Sequence, residues 1–122
     1  MCIFCKIINK EIDANIIYES KYSIGILDIN PKSVGHTLLI SKIHYDNYCK
    51  LDDTIYNHYM KDLKILTNII KNKLNPDGFN LLCNINEVAG QEVMHQHFHI
   101  IPKYYNNPDI KDINKVLSKV IT

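Results

Sequence analysis

Three histidines, His95, His97 and His99, stand at alternate positions near the C-terminal end of the chain. In an extended strand, side chains alternate between the two faces and rise about 3.3 Å per residue, so these imidazoles would share one face about 6.6 Å apart. Phe98 and Ile100 would then point to the opposite face. A helix would scatter the three rings, and no 3.6-residue period supports one. The pattern therefore predicts a β-strand that carries a row of imidazoles.

Imidazole titrates near neutral pH, so a row of three offers a nucleophile, an acid and a metal ligand in one place. A single strand histidine commonly has no chemical duty, but three at alternate positions among apolar residues are hard to reach by chance. The run is internal and lies in a hydrophobic segment, which argues against an affinity tag. We therefore expect the active site on this strand.

The residues around this row resemble the signature of the histidine triad (HIT) superfamily, in which histidines alternate with apolar residues after an Ala-Gly-Gln sequence. Gln96 departs from the signature, because that position is usually apolar. The resemblance covers residues 1–104 in the order that the family uses. The matching segments are Met1–Ile8, Leu27–Pro31, Gly35–Ile40 and Ala89–Lys103.

The resemblance implies an α+β fold, with an antiparallel sheet of about five strands, one long helix and short terminal helices. It also implies a homodimer that joins two such sheets. Hydrophobic patterning predicts strands at 16–20, 22–27, 36–41 and 79–85 and a helix from 52 or 53 to 74. Residues 105–122, beyond the resemblance, form a tail with a short apolar stripe at helical spacing.

Length and charge bound the remaining possibilities. A chain of 122 residues is expected to form a single domain, 1–122, that buries well over half of its unfolded surface. Fourteen basic against thirteen acidic residues give a net charge of +1, which argues against a dedicated nucleic-acid-binding protein. The sequence shows no apolar run of membrane-spanning length and no signal-peptide pattern, so we expect a cytoplasmic protein without a membrane partner and with reduced cysteines.

Cys2 and Cys5 form a C-x-x-C pair at the N-terminus. Such a pair is typical of a redox dithiol or of half of a zinc site, and two cysteines can also be simple core residues. A redox motif needs a strand before it, which is missing here. A zinc site needs two more ligands, and the residues alone leave His36, His44, His58 and His95 as candidates. The resemblance implies a structural zinc held by Cys2, Cys5, His44 and His95.

Two further residues have both a structural and a functional interpretation. Asp28 ends a predicted strand, where aspartate commonly forms a turn by bonding the backbone two residues on. The resemblance implies instead that its carboxylate accepts hydrogen bonds from ribose hydroxyls. His36 begins the next strand and either bonds the backbone there or, as the resemblance implies, belongs to the active-site group near the phosphate.

The resemblance implies covalent catalysis by His97 on the α-phosphate of a purine nucleoside phosphoramidate, with His36, His95 and His99 in the catalytic group and no catalytic cofactor. Asn84 favours the Hint branch of the family, because the dinucleoside-hydrolase branch tends to carry glutamine there. Glu92 stands where the familiar Hint sequence has a phosphate-donating serine, and an ionised carboxylate cannot donate. The expected AMP-like substrate contacts are Asp28, Asn84, Gly90, Gln91, Glu92 and Val93, with an apolar cleft of Phe4, Ile7, Ile26 and Ile29.

Three rival functions stay open at this point. A metal-dependent hydrolase could use His95, His97 and His99 as three zinc ligands. A binding module could hold a purine nucleotide and turn nothing over. A dinucleoside polyphosphate hydrolase would share the covalent chemistry and differ only in its leaving group.

Overall fold

The computed structural model describes residues 2–110 and 112–121, so Met1, the first residue of the family-like N-terminal segment, lies outside the described residues. Five strands form one antiparallel sheet in the order β1-β2-β3-β5-β4. This arrangement, with one long and two short helices, confirms the predicted α+β fold. The elements are α1 (Ile3–Ile8), β1 (Ile16–Glu19), β2 (Ser23–Leu27), β3 (Thr37–Ser41), α2 (Asp53–Leu74), β4 (Gly78–Leu82), β5 (His97–Lys103) and α3 (Ile113–Ile121).

The long helix α2 begins and ends where its sequence provides caps. The Asp52 carboxylate accepts the backbone N–H of Thr54, which satisfies one of the free amides at the helix start. Asn75 ends the helix in the left-handed conformation, and Pro76 follows it. The apolar face of α2 packs on one face of the sheet, in a core of Leu39, Tyr59, Leu63, Leu66, Ile70, Phe98 and Ile100.

The opposite face of the sheet is covered in part by the N-terminal helix. Phe4 and Ile7 of α1 are buried against side chains of β2 and β3, namely Ile24, Ile26, Leu38 and Ile40. The third helix closes the sheet at the end of β2, where Val116 and Val120 pack on Leu27. No helix in the described part of the chain is both long and apolar enough to cross a membrane.

Two strand boundaries differ from the sequence prediction by more than one residue. The strand predicted at 79–85 ends at Leu82, because the chain then turns into a loop in which the Asn84 side chain donates to the Gly90 carbonyl. Strand β5 begins at His97, so His95 precedes the sheet instead of standing in a strand row. His97 and His99 do share one face, and Phe98 and Ile100 lie in the core on the other, as predicted.

Candidate active site and metal-binding cluster

A cavity of about 560 Å³ lies on the sheet face that carries α1. It crosses β5, because Leu38 of β3 and Leu82 of β4 both line it and pair with His99 from opposite sides. Most of the predicted site residues meet here. Those that line the cavity are Phe4, Ile7, Ile26, Asp28, Ile29, His36, Asn84, Gly90, Glu92, Val93, His97 and His99.

The protonation pattern of His97 follows from its backbone partner. Its Nδ1 lies 2.8 Å from the carbonyl oxygen of His95, and a carbonyl can only accept, so Nδ1 carries the proton. Burial lowers the pKa of His97, which keeps the ring neutral at physiological pH. In this tautomer Nε2 has an unprotonated lone pair. His97 is therefore held in the form that a nucleophile requires.

His36 and His99 form a hydrogen-bonded pair beside His97. The backbone N–H of Lys32 donates to His36 Nδ1 at 3.0 Å, so the proton of a neutral His36 must be on Nε2. That Nε2–H donates to His99 Nδ1 at 3.0 Å, which assigns the proton of a neutral His99 to its Nε2. Burial lowers the pKa of His36, and burial together with neighbouring histidines lowers that of His99 to about 4.

Asp28 forms the expected turn and also lines the cavity, and its contact with ribose stays a prediction. One carboxylate oxygen accepts the backbone N–H of Asn30 at 2.9 Å, which is the turn-forming bond expected of an aspartate after a strand. The other oxygen lies 3.6 Å from His36 Nε2 and lines the cavity. The turn thus fixes the carboxylate at the edge of the cavity, where it can accept hydroxyl donors.

The Gln91 side chain does not line the cavity, in contrast to the predicted substrate contact. It is only 2% exposed, accepts the backbone N–H of Asn86 and donates to the carbonyls of Asp46 and Val93. These bonds brace the loop between β4 and β5. Gly90 in the same loop has a φ of 100°, and a Cβ there would lie 3.3 Å from Asn84 Nδ2.

His95 also lies outside the cavity lining, because its ring faces the N-terminal cysteines. Its Nε2 is 2.6 Å from the Ser41 carbonyl and therefore carries the proton, which leaves the Nδ1 lone pair aimed at Cys2 and Cys5. His44 is arranged in the same way: its Nε2 donates to Asp46, and its Nδ1 faces the two sulfurs.

Four donor atoms consequently converge on one point: the sulfurs of Cys2 and Cys5 and the Nδ1 atoms of His44 and His95, all within 4.8 Å of one another. The sulfur–sulfur and sulfur–nitrogen distances run from 3.2 to 3.6 Å. Tetrahedral zinc would place such donors roughly 3.3–3.8 Å apart, given its bond lengths to sulfur and nitrogen. Each imidazole also donates its second N–H to an oxygen, as metal-bound histidines do. The residues fit a structural zinc ion.

The other zinc candidates lie elsewhere. His58 stacks on Tyr22 with the ring centres 4.2 Å apart, and His36 belongs to the cavity. Among the described residues, the ligand atoms of His95, His97 and His99 do not come close enough together to share one metal ion, so the geometry does not support a three-histidine zinc site. A second cluster of Asp28, His36 and His99 exists, but its two imidazoles are already hydrogen-bonded to each other.

Sequence reasoning missed several residues that line the cavity, including Ile3, Ile12, Asp13, Asn15 and Lys32. Lys32 belongs to the turn after Asp28, so its place in that segment could have suggested a position near the site. Asp13 lies between α1 and β1 without any motif around it, and only the docking of α1 brings it to the cavity.

Comparisons with known proteins identify the family to which this fold and cavity belong. The sequence matches the HIT domain family over residues 9–106. It is 44% identical over 116 residues to an uncharacterized HIT-like protein of Methanocaldococcus jannaschii, and the aligned region covers 95% of this chain and 89% of that protein. It is 42% identical over 102 residues to the adenosine 5′-monophosphoramidase of Saccharomyces cerevisiae, covering 84% and 62%. The chain belongs to the HIT domain family.

Solved structures agree with this assignment. A hypothetical histidine triad nucleotide-binding protein from Sulfolobus tokodaii superposes with a TM-score of 0.90 at 37% identity, over 98% of this chain and 89% of that one. A zinc-bound histidine triad family protein from Mycobacterium smegmatis superposes with a TM-score of 0.88 at 28% identity, over 98% and 90%.

Proposed function

We propose that this protein hydrolyses purine nucleoside 5′-phosphoramidates through a covalent nucleotidyl intermediate on His97. The observation that carries the proposal is the 2.8 Å contact between His97 Nδ1 and the His95 carbonyl, which assigns the proton to Nδ1 and leaves the Nε2 lone pair for attack. The yeast relative that is an adenosine 5′-monophosphoramidase supports the choice of substrate.

In the first step, His97 Nε2 attacks the α-phosphorus and forms a P–N bond while the bond to the substrate nitrogen breaks. The leaving nitrogen takes a proton from solvent and departs as an amine, because protonation makes it a good leaving group. His97 retains its Nδ1–H and becomes cationic, and the His95 carbonyl stabilises that charge. In the second step, water attacks phosphorus, Nε2 departs with its lone pair, and the nucleoside monophosphate is released with a proton. Dividing one displacement into two lowers each barrier.

His99 and the loop before β5 act on the phosphate oxygens. Because His36 donates to Nδ1 of His99, the His99 ring offers its Nε2–H to a phosphate oxygen. The peptide N–H groups near Gly90 can add donors where negative charge develops. The nucleoside lies over the apolar wall of Phe4, Ile7 and Ile26, and the ribose hydroxyls donate to Asp28.

A structural zinc ion completes this proposal. Cys2, Cys5, His44 and His95 would hold it, and the ion would supply a fixed crosslink between α1 and the segment before β5. The catalytic steps need no metal. Metal analysis of protein purified without added zinc tests this part, since the proposal requires about one zinc per chain.

We also propose that the protein is a homodimer joined through β4. This strand is at the sheet edge, and Leu81 and Leu82 are 48% and 38% exposed there. A free edge with apolar side chains is a template for pairing with a second copy. Light scattering should give twice the chain mass, and Leu81→Lys should shift the protein toward monomer.

The test of the reaction is turnover of adenosine 5′-phosphoramidate beside a diadenosine polyphosphate. Wild-type protein should cleave the phosphoramidate, and His97→Ala should reduce the rate by three or more orders of magnitude, because no other group replaces the nucleophile. His58→Ala removes a histidine outside the cavity and should retain activity. In single-turnover experiments, the peptide that contains residue 97 should gain one nucleotidyl group.

Two outcomes would redirect the proposal. Preference for the dinucleotide, again lost in His97→Ala, would assign the same chemistry to the dinucleoside polyphosphate branch. Binding of AMP without turnover of either compound would leave a nucleotide-binding module.

A further inference from the structure

The ionised side chains around the cavity are mostly acidic. In the described part of the chain, Asp13, Asp28 and Glu92 line the cavity against a single ammonium group, that of Lys32. A site that only had to bind a phosphate anion would not benefit from this excess of negative charge, because a carboxylate repels the phosphate. The position of each carboxylate therefore matters.

Asp28 and Glu92 approach His97 from different parts of the sheet. Asp28 follows β2, which lies beyond β3 on one side of β5. Glu92 belongs to the loop that joins β4 to β5, between Gly90, which contacts Asn84, and Val93, which packs beside α1. Both residues line the same cavity as His97.

The Glu92 carboxylate also takes no part in holding the described fold together. It is exposed, and among the described residues it has neither an ion-pair partner nor a side-chain hydrogen bond. Its neighbour Gln91, by contrast, is buried and fully bonded within the loop. The loop is thus braced by Gln91 and presents Glu92 to the cavity.

We propose that Glu92 selects phosphoramidates whose leaving amine carries a second, positively charged group, and that it disfavours anionic leaving groups. The inference rests on the proposed function. With the ribose at Asp28 and the phosphorus at His97, the leaving group occupies the part of the cavity beside Asn84, Gly90 and Glu92. A carboxylate there attracts an ammonium group on the departing amine and repels a phosphate or a carboxylate.

Three AMP phosphoramidates of matched length test this selectivity. Their amines are 1,4-diaminobutane, which leaves a terminal ammonium, n-pentylamine, which is its neutral counterpart, and 4-aminobutanoate, which is anionic. The parent compound with ammonia as leaving group measures the basal reaction. Wild-type protein should favour the cationic over the neutral compound about two- to fivefold in kcat/KM, the range that a partly exposed ion pair produces, and added salt should reduce this ratio.

Glu92→Gln removes the charge and nearly keeps the shape, so the cationic-to-neutral ratio should fall to about one and the anionic compound should improve. Glu87→Gln is the matched control, because it makes the same change in the same loop at a residue that does not line the cavity. This control should retain the wild-type ratio.

Each remaining outcome overturns the inference in a recognisable way. Equal cleavage of all three compounds by wild-type protein overturns the selectivity while the phosphoramidase proposal stands. A preference that survives in Glu92→Gln assigns the selectivity to another carboxylate. Failure to cleave even the parent compound overturns the proposed function and this inference with it.

Discussion

Removal of the zinc ion that we propose for the cluster of Cys2, Cys5, His44 and His95 should release α1 from the sheet. The helix has only six residues, and a helix of that length is not stable alone in water. Two attachments hold it: the burial of Phe4 and Ile7, and the cluster to which Cys2 and Cys5 contribute. Chelation, or the substitution Cys5→Ser, removes the second attachment and leaves the first.

The magnitudes indicate that burial alone barely holds the helix. Phe4 and Ile7 are each 6% exposed, and burial of two such side chains contributes about 3–6 kcal/mol. The backbone bonds that close this segment, Lys6 N–H to Cys2 and Asn9 N–H to Cys5, add about 1 kcal/mol each. Ordering six residues costs about 6–12 kcal/mol, so the sum is near zero or unfavourable. Bound zinc is worth about 10 kcal/mol or more, which is enough to anchor the helix.

Hydrogen exchange measures this directly. Amides of residues 6–9 should be protected in the zinc-loaded protein and should exchange much faster after chelation, while amides of α2 should change little. Because Phe4 and Ile7 form a wall of the cavity, AMP should also bind more weakly without metal. Cys49→Ser changes an exposed cysteine outside the cluster and should behave as wild type.

Equal protection of residues 6–9 in the zinc-loaded and chelated proteins would show that the cluster does not anchor α1. In that case the apolar contacts of α1 would suffice, and the four donors would not be an anchor. Protein that contains no zinc when purified without added zinc would refute the zinc site proposed for these four residues.

Three further predictions concern the framework of the site. Gln91→Met keeps the side-chain volume but removes the partner of the Asn86 N–H and of the Asp46 carbonyl, whereas the Val93 carbonyl keeps the N–H of His95; it should reduce the free energy of unfolding by about 1–3 kcal/mol in urea titrations. Gly35→Ala should lower the free energy of unfolding by roughly 1–3 kcal/mol, because Gly35 has a φ of 89° and an added Cβ would meet Leu74. Gly78→Ala is the control and should lower it less, because a Cβ at Gly78 meets nothing within 4 Å. Burial lowers the pKa of His99 to about 4, so between this pH and the ordinary value near 6.5 the unfolded chain binds a proton that the folded chain does not. The free energy of unfolding should therefore fall as the pH is lowered from 7 to 5, and it should fall less in His99→Asn.

The sequence was most informative where a pattern is local. Alternation in 97–100 sets which side chains share a face, so the placement of Phe98 and Ile100 opposite His97 and His99 was predicted correctly. The bounds of α2 were predicted because Asp52 and Asn75 act on their own neighbours. Both results depend on interactions within a few residues, which a sequence displays directly.

The sequence was least informative where a polar side chain finds partners across the fold. Asp62 lies on a helix face toward the core, and its carboxylate accepts the hydroxyls of Tyr18, Ser20 and Ser23 from the β1–β2 hairpin. Gln91 was expected to contact substrate, but its partners are loop backbone groups, the Asp46 carbonyl among them, 45 residues away. Residue type and spacing do not encode such pairings, because the partners meet only after the sheet has formed.

Backbone carbonyls determine which ring nitrogen carries the proton in His95 and in His97, and therefore which one is left to act. His95 and His97 are both buried, and each donates one N–H to a carbonyl. His95 donates from Nε2 and thereby presents Nδ1 to the cysteines, whereas His97 donates from Nδ1 and thereby leaves Nε2 unprotonated. The acceptor for His97 is the carbonyl of His95 itself, so the residue whose ring belongs to the metal-type cluster also sets the tautomer of the proposed nucleophile. Any displacement of the His95 ring that moves its carbonyl must therefore change both sites together.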